Sequence, residues 1–133
     1  MKGVAEKGKS DRDLGVKAMA TDCIFCKIAT KEIPVQTVYE DEMIIAFPDI
    51  NPVAPVHVLV IPKKHIEHLL ATGSGDQAVC GHIMASLPKI AESLGVSEEG
   101  FRVVFNTKSN GGQTVMHLHA HILGGRFMKW PPG

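Results

Sequence analysis

The sequence predicts an α+β domain: a five-stranded antiparallel sheet carrying one long and one short helix. Three observations lead there. Short apolar or alternating runs recur after residue 36, the links between successive runs have hairpin length, and only one long stretch carries helical periodicity.

Gln36–Glu40 and Met43–Phe47 read as two strands joined across the acidic pair Asp41-Glu42. Pro48 ends the second, and Asp49–Pro55, with two more prolines, lacks the amide donors of a regular ladder and must be a loop. Val56–Ile61 is the third strand. Lys64–Ala71 is expected to be the short helix, stopped by Gly73-Ser-Gly. Asp76 is then placed to cap a long helix through about Leu94. Val79, Ile83, Leu87 and Ile90 fall at three- and four-residue steps and form its apolar stripe. Pro88 lies inside it, which predicts a kink. Gly100–Asn106 is a fourth strand, Ser109–Gln113 a glycine-rich turn and Val115–Leu123 a fifth strand.

The chain has 133 residues, 44% hydrophobic and 21% charged, enough apolar material for one core. Fourteen Lys and Arg balance fourteen Asp and Glu, which argues against a nucleic-acid or polybasic membrane binder. Residues 1–21 hold Lys2, Lys7, Lys9, Arg12 and Lys17 against Glu6, Asp11 and Asp13, so residues 22–133 form a slightly acidic body. The first segment has no aromatic residue and little periodicity, and it reads as a flexible extension ahead of a single domain. Its three acids and lack of an apolar run count against import and secretion signals, and no run is long enough to span a membrane. Three cysteines, two of them as Cys23-x-x-Cys26, make no secreted disulfide framework, and a cytoplasmic protein is expected.

Seven histidines against one Trp and one Tyr are the unusual feature. On a strand, His117, His119 and His121 would share one face while Leu118, Ala120 and Ile122 face the core. Three imidazoles there are costly as filler, since each buried ring needs partners for both nitrogens. Two chemistries fit: three ligands for a catalytic zinc with an open position, or one imidazole attacking phosphorus while its neighbours move protons. Asn106 and Gly111-Gly112-Gln113-Thr114 supply neutral donors and exposed amides suited to phosphate oxygens, which favours the second.

The run His117-Leu-His-Ala-His-Ile-Leu resembles the defining motif of the histidine-triad family, in which histidines alternate with apolar residues. Ile24-Phe25-Cys26-Lys27-Ile28, Phe47-x-Asp49-Ile50-x-Pro52, Ile61-Pro-Lys-Lys-His65, Gly111-Gly-Gln113 and the ending Gly124-Gly-Arg126-x-Met128-x-Trp130-Pro-Pro-Gly resemble its Hint branch in order and spacing. The likeness runs over about residues 22–133. It implies a homodimer whose two sheets join, and a hydrolase that cleaves the P–N bond of purine nucleoside phosphoramidates, releasing the nucleoside monophosphate. Aminoacyl-adenylates are a further implied substrate class. A dinucleotide polyphosphate hydrolase and a nucleotide-sensing module with incidental hydrolysis are the alternatives.

Carried onto this chain, the resemblance makes His119 the nucleophile that becomes nucleotidylated, with His121, His117 and His57 around it. It gives the phosphate to His121, Asn106, Thr114 and amides near Gln113, and the ribose to Asp49. Ile24, Phe25, Phe47 and Ile50 would form the base slot. Thr114 replaces a usual serine, Asn51 stands where serine is common, and Met116 where an aromatic is common. The resemblance also implies a structural zinc on Cys23, Cys26, His65 and His117, and no cofactor for catalysis. His68 and His82 are expected to be surface or packed residues and Cys80 core, without a role. The tail with Trp130 is expected at the dimer interface, near the other subunit's active site.

Overall fold

A computed structural model describes residues 22–133, so the expected extension over residues 1–21 lies outside the described residues. Helix α1 (Ile24–Ala29) is followed by strands β1 (Tyr39–Glu40), β2 (Ile44–Pro48) and β3 (Val56–Pro62). Helix α2 (Gln77–Ser93) precedes β4 (Phe101–Phe105) and β5 (Ala120–Gly124). The strands form one sheet in the order β1-β2-β3-β5-β4, and every neighbouring pair is antiparallel. No helix among the described residues is long and apolar enough to cross a membrane.

The sheet is covered on both faces, and the period-2 geometry of the strands decides which residue meets which layer. Ile44, Ala46, Val58, Val60, Leu118, Ala120 and Ile122 pack with Val79, Ile83, Leu87 and Ile90 of α2. Their odd-numbered neighbours Ile45, Phe47, Leu59 and Ile61 pack with Phe25 and Ile28 of α1 on the opposite face. Double coverage explains why β2 and β3 read as unbroken apolar runs rather than as alternation. The α2 stripe is buried as its spacing requires, and the helix runs through Pro88.

Three local expectations need correction, and one helix is not expected at all. Helix α1 has no sequence signal of its own, because six residues are too few for periodicity; the Cys23 sulfur caps it by accepting the Cys26 N–H at 3.3 Å. Lys64–Ala71 is not a helix and keeps only a 3₁₀ turn at Leu69–Ala71. The carbonyls a helix would use are taken from outside: Ile66 accepts the Leu118 N–H at 2.6 Å and Glu67 accepts the Gln113 side-chain amide at 2.7 Å. Asp76 sits at the start of α2 but does not cap it, since its carboxylate accepts from the Gly73 N–H at 2.9 Å and from Lys64 at 2.6 Å. The fifth strand begins only at Ala120, because the His117 N–H turns back onto the Val115 carbonyl at 2.9 Å and leaves the ladder.

Ile122 is fully buried between β3 and β4 and faces α2. Ile122→Ala is expected to destabilise the fold by about 2–5 kcal/mol, the range for truncating a core aliphatic that the site cannot refill. Urea denaturation with an unchanged m-value measures it, and a loss below about 1 kcal/mol contradicts this account of the core.

Candidate functional site

The odd face of the sheet, beside α1, carries the histidines. His57 on β3 stands opposite Leu123, and His121 on β5 opposite Leu59, so the two rings are diagonal neighbours on one face. His57 Nε2 lies 2.9 Å from His121 Nδ1. The Val53 backbone N–H donates to His57 Nδ1 at 3.1 Å. A backbone N–H can only donate, so a neutral His57 must carry its proton on Nε2 and donate to His121. His121 in turn carries its proton on Nε2, which has no hydrogen-bond partner among the described residues and is presented as a donor.

Both rings are kept neutral by their surroundings. Burial lowers the His57 pKa, with the Asp49 charge pulling the other way. Burial, then the neighbouring His119 and His57, brings His121 down to about 4. Asp49, His57 and His121 also bring three ligand atoms within reach of one another. The ring centroids of the two histidines are 5.2 Å apart, which with the 2.9 Å contact sets that bond nearly in line with both rings. A chelated ion would need lone pairs converging beside that line, so the geometry is that of a direct ring-to-ring hydrogen bond.

His119 is locked in the complementary sense. Its Nδ1–H donates to the His117 carbonyl at 2.6 Å, leaving the Nε2 lone pair free. The ring is buried, meets the Phe25 ring edge-on at 5.2 Å and lies 4.9 Å from the His121 ring, centroid to centroid. A lone pair and an N–H donor therefore stand side by side on adjacent rings. His117 and His119 precede the strand rather than lying on it, yet both rings meet Phe25 on the α1 face while Leu118 remains in the α2 core.

His117 has a different surrounding. Its Nε2–H donates to the Pro62 carbonyl at 2.8 Å, which frees Nδ1 to face Cys23 Sγ at 3.3 Å and Cys26 Sγ at 3.6 Å. His65 Nδ1 lies 3.2 Å from Cys26 Sγ. A tetrahedral zinc with ordinary Zn–S and Zn–N bonds requires S···N edges of about 3.6 Å. The four ligand atoms sit within 4.8 Å of one another, so this donor set fits the ion. Burial, reinforced by Cys23, pushes the Cys26 thiol up to about 12, and burial brings His117 down to about 4.

The remaining expected residues surround the rings. Phe25 and Phe47 are buried edge to face at 5.7 Å, whereas Ile24 and Ile50 are exposed. One Asp49 oxygen accepts the Asn51 N–H at 2.8 Å and the other lies 3.4 Å from His57 Nε2. Asn106 follows the end of β4, and Thr114 lines a groove with Ile24, His65 and Met116. Gln113 is buried and its amide shapes the turn: Oε1 accepts the Lys108 N–H at 2.8 Å, and Nε2 donates to Glu67 and Val115 carbonyls at 2.7 and 3.0 Å. The Gln113 and Gly112 backbone amides are likewise spent, on Lys108 and Ser109 carbonyls. The groups that fix these ring tautomers, which sequence reasoning missed, are main-chain ones, the Val53 N–H and the His117 and Pro62 carbonyls, and no residue type signals them.

The lowered values of His57 and His121 give a signed pH dependence. An unfolded histidine binds its proton near pH 6.5, above the folded values, so their contribution to stability is complete above that pH and is lost as pH falls toward about 4. His65 and His117 act in the same direction. Urea midpoints are expected to decline over this window, and His121→Gln to flatten the decline. A midpoint independent of pH over this range contradicts the neutral buried rings.

The model of the HIT domain matches residues 30–128 of this chain. An uncharacterized HIT-like protein of Synechocystis is 51% identical over 115 residues, covering 86% of this chain and all of that protein. Protein HitA of Neisseria gonorrhoeae is 50% identical, covering 77% of this chain and 95% of HitA. The crystal structure of a HIT family hydrolase from Legionella pneumophila superposes with a TM-score of 0.82 at 51% identity, over 84% of this chain and 100% of that one. A histidine triad protein from Clostridium difficile gives 0.80 at 48% identity, over 86% and 97%. With the triad seated on its sheet face, the match over most of the chain and these identities, the protein belongs to the HIT domain family.

Proposed function

We propose that this chain is a hydrolase of the Hint type that cleaves the P–N bond of purine nucleoside phosphoramidates, and by the same attack on phosphorus the P–O bond of the acyl phosphate in aminoacyl-adenylates. The observation that supports it most is the pairing of a free His119 Nε2 lone pair with the His121 Nε2–H on rings 4.9 Å apart. A nucleophile and a proton donor are both ready without a lysine, arginine or metal among the reacting groups.

In this reading His119 Nε2 bonds to the α-phosphorus as the P–N bond breaks. The His119 ring becomes cationic, and its Nδ1–H remains on the His117 carbonyl, which stabilises that charge. The same positive charge acidifies the neighbouring neutral His121, whose Nε2 proton passes to the departing nitrogen; the amine leaves neutral, and His121 is left as an imidazolate paired with the His119 cation and accepting from His57, so total charge is conserved. In the second step His121 takes a proton from water as the oxygen attacks phosphorus, and His119 departs uncharged. His57 holds the His121 tautomer through both steps. Asn106 and Thr114 serve the phosphate oxygens, Asp49 the ribose, and Ile24, Phe25, Phe47 and Ile50 the base, with Gln113 holding the turn between them.

The reading includes a structural zinc and a dimer. Zinc on Cys23, Cys26, His65 and His117 would replace the thiol protons and cross-link the start of α1 to the sheet. A homodimer is supported by β4, which among the described residues pairs only with β5 and leaves its outer edge free, and by the exposed Phe127 and Trp130 in the following tail.

His119→Ala is expected to reduce hydrolysis of an adenosine phosphoramidate by about 10³-fold or more, with AMP affinity held within a few-fold in calorimetry. Unchanged turnover, or faster hydrolysis of a diadenosine polyphosphate by the wild type, overturns the assignment. Elemental analysis is expected to find one zinc per chain, and a strong chelator to lower the Tm of the wild type but not of Cys26→Ser. Equal Tm values for wild type with and without chelator, at no bound zinc, overturn the metal site.

A further inference from the structure

The His57 tautomer depends on one backbone amide, and that amide belongs to an exposed loop. Asp49–Pro55 crosses from β2 to β3, and Val53 within it is 61% exposed. Nothing in the loop's own sequence requires the Val53 N–H to stay on His57 Nδ1. Arg126 provides a constraint from outside: its Nη2 donates to the Val53 carbonyl at 3.0 Å, while its Nη1 donates to the carbonyl of Phe127 at 3.0 Å. Val53 is thereby held from both sides, by its N–H on the relay and by its carbonyl on the C-terminal segment.

The chain arrives at this contact by a close approach that excludes side chains. Gly125 has φ of +90°, and a Cβ built there would lie 2.8 Å from the Pro55 Cβ. The turn after β5 therefore lies flat on the loop and delivers the Arg126 side chain to Val53. Arginine suits the position because its planar fork can reach two carbonyls of different segments at once, which a lysine ammonium does less specifically.

We propose that Arg126 is a positioning residue of the relay, clamping Val53 so that its amide fixes the His57 tautomer and thereby makes His121 a donor. The inference rests on the reading of His57 and His121 as the proton relay. If the Val53 N–H leaves Nδ1, His57 can carry its proton there and accept at Nε2. His121 must then place its proton on Nδ1 and present a lone pair where the departing nitrogen needs a donor. The Asp49 oxygen 3.4 Å from His57 Nε2 opposes this flip, so losing Arg126 weakens the relay rather than abolishing it. The same clamp connects the relay to the segment carrying Phe127 and Trp130, so whatever that segment packs against acts on the reaction through Val53.

The test uses the full-length protein with Arg126→Met and Arg126→Lys. Two-bond proton–nitrogen correlation of the histidine rings, recorded without substrate, is expected to show His57 protonated at Nε2 and bare at Nδ1 in the wild type. In Arg126→Met the His57 and His121 nitrogen signals should move toward the opposite tautomer. With an adenosine phosphoramidate, kcat should fall about fivefold, the size of one ordinary hydrogen bond, with KM little changed. Arg126→Lys, which can still donate to Val53, should recover most of both. Ring signals in Arg126→Met identical to wild type overturn the proposal whatever the activity. Shifted signals with unaltered kcat uphold the clamp and instead overturn the role of the two rings in catalysis.

Discussion

Burying imidazoles on a sheet face requires that each ring nitrogen facing protein find a partner, and this requirement organises the whole site. An unpaired buried nitrogen costs on the order of 1–3 kcal/mol, so the fold assigns main-chain groups to the rings. The Val53 amide serves His57, the His117 carbonyl serves His119, and the Pro62 carbonyl serves His117. Every such bond has a chemical consequence, because fixing one nitrogen of a neutral imidazole fixes the other. His119 is left with a lone pair, His121 with a proton, and His117 with a lone pair turned toward two sulfurs. Three similar side chains acquire three roles from the polarity of their neighbours.

The same bonds shape the backbone. The segment before β5 must deliver carbonyls and rings at once, so it leaves the ladder at His117 and joins Ile66 and Glu67 instead. That exchange unravels the helix expected at Lys64–Ala71 and holds His65 beside Cys26. Gln113 completes it, with side-chain hydrogen bonds to Lys108 and Val115 that close the turn and a third that reaches across to the Glu67 carbonyl. The irregular backbone of 63–68 and 113–119 carries His65, His117 and His119, while His57 and His121 lie on regular strands.

Much of this was legible from residues alone because it depends on period and spacing. The alternation Leu118, Ala120, Ile122 against His117, His119, His121 survives even where the strand does not: the rings ahead of β5 still meet Phe25 and Leu118 still packs under α2. The α2 stripe follows from the same kind of pattern, whereas the placing of β5 between β3 and β4 does not. What escaped notice was short or main-chain. Helix α1 is less than two turns long and is capped by a sulfur, an acceptor outside the usual capping residues. Asp76 reads as an N-cap, but Lys64 and the Gly73 amide compete for its carboxylate.

Sequence by itself determined the sheet, its covering long helix, the histidine cluster and the family likeness, because these follow from side-chain identity and local period. The tertiary structure decided which nitrogen of each ring carries the proton, and brought Cys23, Cys26, His65 and His117 to one point. It also placed Arg126 on Val53 across 73 residues of chain. The physical reason is that a tautomer is set by a single donor or acceptor within hydrogen-bond range. That neighbour is a backbone group, identical in every residue but proline, so only its position in space distinguishes it.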